Sequence, residues 1–332
     1  MQTSSPQKLL IKSKWNGGHD ALFSIVMCVY NEKVADLKAS IDSILNQTDG
    51  DFEFIIVLDQ PKNAALVPVV LDYASKDVRI KVVTNDKNIG LAKSANKAVK
   101  MAQRKFIVRM DADDISRPNR LQTLRNNIDD CTDVYFSQYH VMDEQGFILK
   151  KSLPMPAKTA TLQKILKHKN IICHPTVMIR AEVIQKEQYS GLRVSEDYDL
   201  WVRLIKSGYI FKGINEVLLD YRVRDGSMTT SDYYQSYFSL KFIWGFYQKN
   251  DPNARLTQEA FDAAIAKKTK AKENFNRASI EYHRIINSKQ RSLREHIKLL
   301  RLFVQSPQLF DFFFRTLWAA ILRRDAKRSG IH

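Results

Sequence analysis

The feature that most constrains this chain is a set of short, largely apolar runs that alternate with helix-patterned segments. FSIVMCV (23–29) and FEFIIVL (52–58) have the length and continuity of buried parallel strands, and RIKVVT (79–84) and KFIVRM (105–110) read as a third and a fourth strand. Between them, 34–45, 64–75 and 91–103 carry apolar residues at helical spacing; Leu37, Ile41, Ile44 and Leu45 mark one face of the first. Strand–helix alternation of this kind predicts right-handed βαβ units and a mostly parallel sheet flanked by helices. Ligands of such sheets bind beyond the carboxyl ends of the strands. Three of the four runs end in polar candidates: Tyr30-Asn31-Glu32, Asp59, and Asp111-Ala112-Asp113-Asp114.

Further along, 133–153 reads as strands around a turn at 144–146. PTVMIR (175–180) reads as a strand, 196–207 as a helix and 216–223 as a last strand. From about 228 the pattern is helical throughout. This divides the chain into an N-terminal extension (1–22), an α/β catalytic domain (23–227) and a basic helical C-terminal region (228–332). Residues 1–20 hold no apolar core of a secretory leader. No run of about 18 apolar residues exists to cross a bilayer. The three cysteines, Cys28, Cys131 and Cys173, form no zinc-type spacing, and a reducing cytoplasm suits them.

Net charge is +16. From residue 252 onward, 17 Lys/Arg stand against 7 Asp/Glu, so most of the surplus is in the tail. Within it, residues 307–324 pack Leu309, Phe310, Phe312, Phe313, Phe314, Leu317, Trp318 and Ile321 between basic flanks, interrupted by Asp311 and Arg315. That composition suits a helix lying on an anionic lipid surface, or alternatively one packed on the domain or in a dimer.

Three carboxylates within four residues repel one another, and a hard divalent cation with diphosphate oxygens would relieve that repulsion. Asp111–Asp114 therefore reads as a metal–diphosphate loop. It also reads as an acidic turn before a helix capped by Ser116, and the two readings are compatible. Asp59 can accept hydrogen bonds from a base or ribose, and Tyr30 can stack on a base. Gly90 permits a tight turn at a helix N-terminus favourable to anions, with Lys93 in the first turn. In Ser195-Glu196-Asp197-Tyr198-Asp199-Leu200-Trp201, Ser195 suits an N-cap and the acids suit the helix dipole. Asp197 is also a candidate general base for an acceptor hydroxyl. Glu196, Trp201 (a possible sugar platform one turn on) and His174 are acceptor-side candidates.

Six segments together resemble the family 2 glycosyltransferases, the large bacterial group with the GT-A fold. They are FSIVMCVYNE, SIDSILNQT, FIIVLD, NIGLAKSAN, VRMDADDISRPNRL and SEDYDLWVRL, in the family's order over about residues 23–225. The resemblance implies that Cys28, Tyr30 and Asp59 line the base pocket and that Asp111 contacts the donor, at the ribose. It further implies that Asp113 holds Mn²⁺ or Mg²⁺ on the diphosphate and that Asp197 is the base of an inverting displacement. Glu32, Gly90 and Lys93 join the donor side. Two departures stand out. Arg224 occupies the place where many relatives carry a metal-shell His, and could clamp the diphosphate instead. Leu58-Asp59-Gln60-Pro61 replaces the common Asp-Asp-Gly-Ser. No Trp follows an Arg, so the processive signature is missing and single addition fits better.

The expectation is a metal-dependent, non-processive transferase that moves a sugar from a UDP-hexose or UDP-N-acetylhexosamine to a surface glycan, of lipopolysaccharide or capsule type, or to a lipid-linked oligosaccharide. It would reside in the cytoplasm or peripherally on the inner face of the cytoplasmic membrane. A nucleotidyltransferase lacks its Gly-rich basic loop here, and a nucleic-acid binder finds charge but no motif.

Overall fold

The computed structural model describes residues 21–224, 232–251, 253–286 and 292–328. The expected N-terminal extension and the expected boundary near 228 lie, for the most part or wholly, outside the described residues.

The chain forms two compact units. The first comprises residues up to 152, 172–189 and 214–222; the second comprises 153–171, 190–213 and the chain from 223 onward. In the first unit, β1 (Phe23–Val29), β2 (Phe52–Leu58), β3 (Ile80–Thr84) and β4 (Phe106–Asp111) form a parallel sheet in the order β3-β2-β1-β4. Every residue of β2 is buried, as a run apolar at every position but Glu53 leads one to expect. Its one charge, Glu53, accepts from Ser24 Oγ at 2.5 Å, Lys81 Nζ at 2.5 Å and the Gln103 backbone N–H at 2.7 Å. A buried carboxylate survives in a core only when its lone pairs are met in this way.

Helix α1 (Val34–Leu45) buries Leu37, Ile41 and Ile44, at the expected spacing. α2 (Val67–Lys76) follows β2. α3 (Leu91–Met101) presents Ala92, Ala95, Ala98 and Val99, small side chains that let it lie close against β1 and β2. Beyond β4 the sheet turns mixed. β5 (Ile115–Ser116) pairs antiparallel with β9 (Phe211–Arg222). β6 (Val134–Met142) pairs with β7 (Ile148–Lys151) and with β8 (Met178–Arg180), and β8 runs antiparallel to β4. The result is an α/β, GT-A-like architecture with C-terminal helices.

Local differences from the sequence reading have simple causes. PTVMIR is not one strand: His174–Thr176 forms a 3₁₀ turn and only Met178–Arg180 joins the sheet, since Pro175 has no N–H to give a ladder. Ser116 caps no helix. It pairs within β5, its hydroxyl accepts from Gln47 at 3.1 Å, and α4 (Arg120–Asn126) starts later, after Asn119. The last strand begins at Phe211, five residues before the expected 216.

The second unit contains α5 (Thr159–Leu166) and α7 (Glu196–Lys206), α6 (Ala181–Glu187) belonging to the first. It continues with α8 (Tyr233–Lys249), α9 (Gln258–Ala266), α10 (Thr269–Ile286), α11 (Leu293–Gln305) and α12 (Pro307–Arg328). Tyr234, Tyr237, Phe275, Tyr282 and Leu309 form its aromatic core. Asp311, which interrupts the apolar tail sequence, faces this core and accepts from Tyr237 Oη at 2.7 Å and Lys241 Nζ at 3.0 Å. Among the described residues, no helix is long and apolar enough to cross a membrane.

Candidate active site

The parallel register places the expected donor residues side by side. Cys28 lies opposite Asp111 on one flank and Val57 on the other, and the Asp59 N–H donates to Val29 O at 2.8 Å. Tyr30, Asp59 and Asp111 thus follow the carboxyl ends of three adjacent strands. Tyr30 is 41% exposed, an open ring face suited to stacking. Glu32 folds back to accept from the Tyr30 N–H at 2.8 Å, fixing the turn after β1. Cys28 is half-buried, and burial pushes its thiol up to about 12, so it is a neutral wall and not a nucleophile.

Asp59 is largely committed within the protein. It is buried, and its Oδ1 accepts from Asn85 Nδ2 at 2.8 Å and from the Ile89 N–H at 2.9 Å, while Oδ2 accepts from the Gly90 N–H at 3.0 Å. The carboxylate holds the 88–90 turn in place beside the strand end. Gly90 sits at φ +85° as the residue before α3, a conformation that a side chain would strain. Lys93 in the first turn is exposed.

The acidic loop separates into different roles. Asp111 keeps a partly exposed carboxylate, whose Oδ1 accepts from Arg109 Nη2 at 2.6 Å. Arg109 is buried in β4 and also donates to the carbonyls of Val26 and Met110. Asp113 is half-buried. Asp114 is fully buried and accepts the Arg222 N–H at 2.8 Å. Burial, reinforced by the charges of Asp111 and Asp113, holds its carboxyl well above the usual range. The three acids therefore carry less charge than their sequence suggests, and Asp111 and Asp113 are the pair that meets solvent. Arg222 clamps the loop: its Nε donates to Asp113 O at 2.8 Å and its Nη1 to Glu144 O at 3.0 Å.

His174 belongs to this unit. Its Nε2 lies 2.7 Å from Tyr189 Oη. Burial and the nearby Arg109 cation hold its pKa well below the ordinary histidine value, so it is a neutral structural imidazole.

In the second unit, α7 sorts its acids by burial. Glu196 is buried, which removes it as an acceptor contact. Asp199 is fully buried, accepting from Tyr247 Oη at 2.7 Å and Arg203 Nε at 3.0 Å. Only Asp197 is half-buried, and its Oδ2 accepts from Asn170 Nδ2 at 3.0 Å. Trp201 corrects an expectation. It is fully buried and packs edge-on against Phe211, so it is core and offers no face to a sugar; almost the whole circumference of α7 is buried, and a large ring one turn beyond Asp197 is drawn inward. Ser195 precedes the helix at φ +58° with no side-chain cap bond. Arg224, half-buried, follows just after the first unit's last residue.

Sequence reasoning missed Arg109, Arg222, Asn85 and Asn170. Arg109 had a signal, being a charge in the interior of an otherwise apolar stretch, with Lys105 and Asp111 only at its ends. Arg222 adjoins the residue singled out in its place, Arg224. Nothing in the pattern marks Asn85 or Asn170.

The sequence model of one family, described as Glycosyl transferase family 2, matches residues 24–187. An uncharacterized glycosyltransferase of Methanocaldococcus jannaschii is 40% identical over 232 residues, which cover 67% of this chain and 79% of the relative. This chain is a family 2 glycosyltransferase. The O-antigen biosynthesis glycosyltransferase WbnJ of Escherichia coli is 34% identical, with 67% of this chain and 89% of the relative covered. Among solved structures, residues 1–349 of Staphylococcus aureus TarS in complex with UDP-GlcNAc superpose with a TM-score of 0.57 at 16% identity, covering 93% of this chain and 91% of TarS 1–349, a likeness of fold. The glycosyltransferase thus carries the expected strand-end residues in one unit and the expected base in the other.

Proposed function

We propose that this glycosyltransferase catalyses a single, inverting, metal-dependent transfer from a UDP-hexose or UDP-N-acetylhexosamine to a hydroxyl of a surface glycan or a lipid-linked oligosaccharide. The observation that carries the reading is the sorting of the acids. In each acidic cluster, burial withdraws some carboxylates and leaves the ones the chemistry needs: Asp111 and Asp113 after β4, Asp197 on α7. O-antigen biosynthesis by one relative and the UDP-GlcNAc bound by a structural neighbour support the acceptor and donor classes.

The donor set fits a hard cation. Asp111 and Asp113 are oxygen ligands, and Mg²⁺ characteristically takes one or two carboxylates together with substrate phosphates. Mn²⁺ or Mg²⁺ held by Asp113 would take up the charge of the departing nucleoside diphosphate. Tyr30 and Cys28 wall the base, Asp59 holds the turn beside it, and Asp111, steadied by Arg109, receives the ribose. Arg224 supplies a cation to the diphosphate. Asp197 accepts the proton of the acceptor hydroxyl as its oxygen attacks the anomeric carbon and the C–O bond to the diphosphate breaks; attack opposite the leaving group inverts the configuration.

The test is thermal stability with a panel of nucleoside diphosphates and nucleotide-sugars, with and without Mn²⁺, followed by Asp197→Asn. A rise in Tm with UDP only when metal is present, and a variant that keeps that rise but loses most transfer, are expected. A panel without any rise would overturn the donor site, and an unimpaired Asp197→Asn would overturn the base.

A further inference from the structure

The second unit ends in two helices, each with an exposed apolar face. On α12 the inward face carries Leu309, buried, with Phe312 and Phe313 against the aromatic core. The outward face carries Phe310, Phe314, Leu317, Trp318 and Ile321, all exposed, Trp318 by 45% and Phe314 by 53%. Their spacing of four, three, one and three residues is that of a single helical stripe. α11 repeats the arrangement with Ile297, Leu300 and Val304, exposed by up to 82% at Val304. Phe303 of α11, half-buried beside this stripe, lies 5.6 Å, centroid to centroid, from Phe310, so the two helices pack together where the α12 stripe begins. Soluble surfaces scatter apolar residues singly, and eight on two adjoining helices mark an interaction surface.

Charge decides what covers it. Residues 292–328 hold 8 Lys/Arg against 3 Asp/Glu. Arg294 and Arg301 fall beside the α11 stripe and Arg324 beside the α12 stripe, and all three are exposed. A second copy meeting this face through a two-fold axis would set cations against cations. An anionic bilayer offers an apolar interior for the aromatic stripe and phosphates for its rim, and neither helix can span it. We infer that the exposed faces of α11 and α12 form an in-plane docking surface for anionic lipid. The inference stands independently of the reaction proposed above: it concerns where the protein rests, and its test needs neither donor nor acceptor.

The experiment is co-sedimentation of the full chain with phosphatidylcholine vesicles, with and without phosphatidylglycerol, at low and high salt. Three proteins are compared: wild type, Phe314→Ser/Trp318→Ser, and Arg294→Gln/Arg301→Gln. Circular dichroism and a cooperative thermal unfolding transition verify that each is folded. Wild type should pellet with the anionic vesicles and be released by salt. The arginine variant should bind about thirtyfold more weakly, since each cation near such a surface contributes about a fivefold factor. The aromatic variant should lose roughly tenfold or more. Wild type that stays in the supernatant with anionic vesicles at low salt would overturn the inference. So would an aromatic variant that binds as wild type does, or a protein dimeric in solution whose dimer is abolished by Phe314→Ser/Trp318→Ser.

Discussion

Asp59→Asn tests how the base end of the site is built. The two side chains have the same shape, so the change isolates one oxygen. Oδ1 receives two of the three hydrogen bonds, from Asn85 and Ile89, and Oδ2 only that from Gly90. The amide will therefore keep its oxygen at the first position and turn its NH₂ toward the Gly90 N–H. One charge-assisted bond is lost, and the other two are weakened to neutral ones. A hydrogen bond to a charged group is worth about 1.5–3 kcal/mol and a neutral one about 1 kcal/mol, so one bond lost and two weakened should together cost about 2.5–7 kcal/mol. Gly90 keeps its bond to Asn88 Oδ1 at 2.9 Å, which limits the damage to the turn. Urea unfolding should show a lower midpoint at unchanged slope. Asn85→Ala, which removes one donor and leaves the acid intact, should reproduce part of the loss. If Asp59→Asn unfolds as wild type does while UDP binding collapses, the carboxylate is not the anchor of the 88–90 turn and acts only on ligand.

Three further outcomes follow from particular contacts. Asn170→Ala should lower turnover by about tenfold, the value of one hydrogen bond to a carboxylate, with the donor KM unchanged; an unchanged kcat would remove Asn170 as the residue positioning Asp197. Gly213→Ala would place a Cβ 2.5 Å from Pro156 O and 2.6 Å from Met155 Cβ, and should cost about 1–3 kcal/mol in a denaturation series. His174, its pKa depressed by burial and by Arg109, takes up its proton more readily in the unfolded chain. Its contribution to stability is thus complete above about pH 6.5 and lost as pH falls below that value, at up to ~1.4 kcal/mol per pH unit. His174→Gln should flatten that slope between about pH 7.5 and 5.5, and an unchanged slope would assign it to another group.

The parallel core was legible because its strands are largely buried and so read as short, mostly apolar runs; β1, β2 and β4 fall within a residue or so of their predicted bounds. The polar strand ends were legible for the same reason, since a change of composition marks the place where the sheet stops. What sequence could not reveal is which way a side chain turns. Asp111, Asp113 and Asp114 are chemically alike on the page, yet Asp114 is drawn under the loop by the Arg222 N–H, 108 residues away. Trp201 has the spacing to share a face with Asp197, but a helix buried almost all round has no outer face for a large ring. Asn170 reaches Asp197 across 27 residues, and no periodicity reports such a contact.

The clamp on the acidic loop also bears on how this chain can be cut. The match to the family model ends at residue 187, and a fragment trimmed to it would retain every strand of the parallel core. It would lack β9, and with it the Arg222 side chain that closes on Asp113 and the backbone amide that receives Asp114. The segment that the family model matches is therefore shorter than the span needed to hold its own acids in order. A minimal version of the donor-side unit would have to carry 214–222 back to β5, through a linker or as a separately supplied strand.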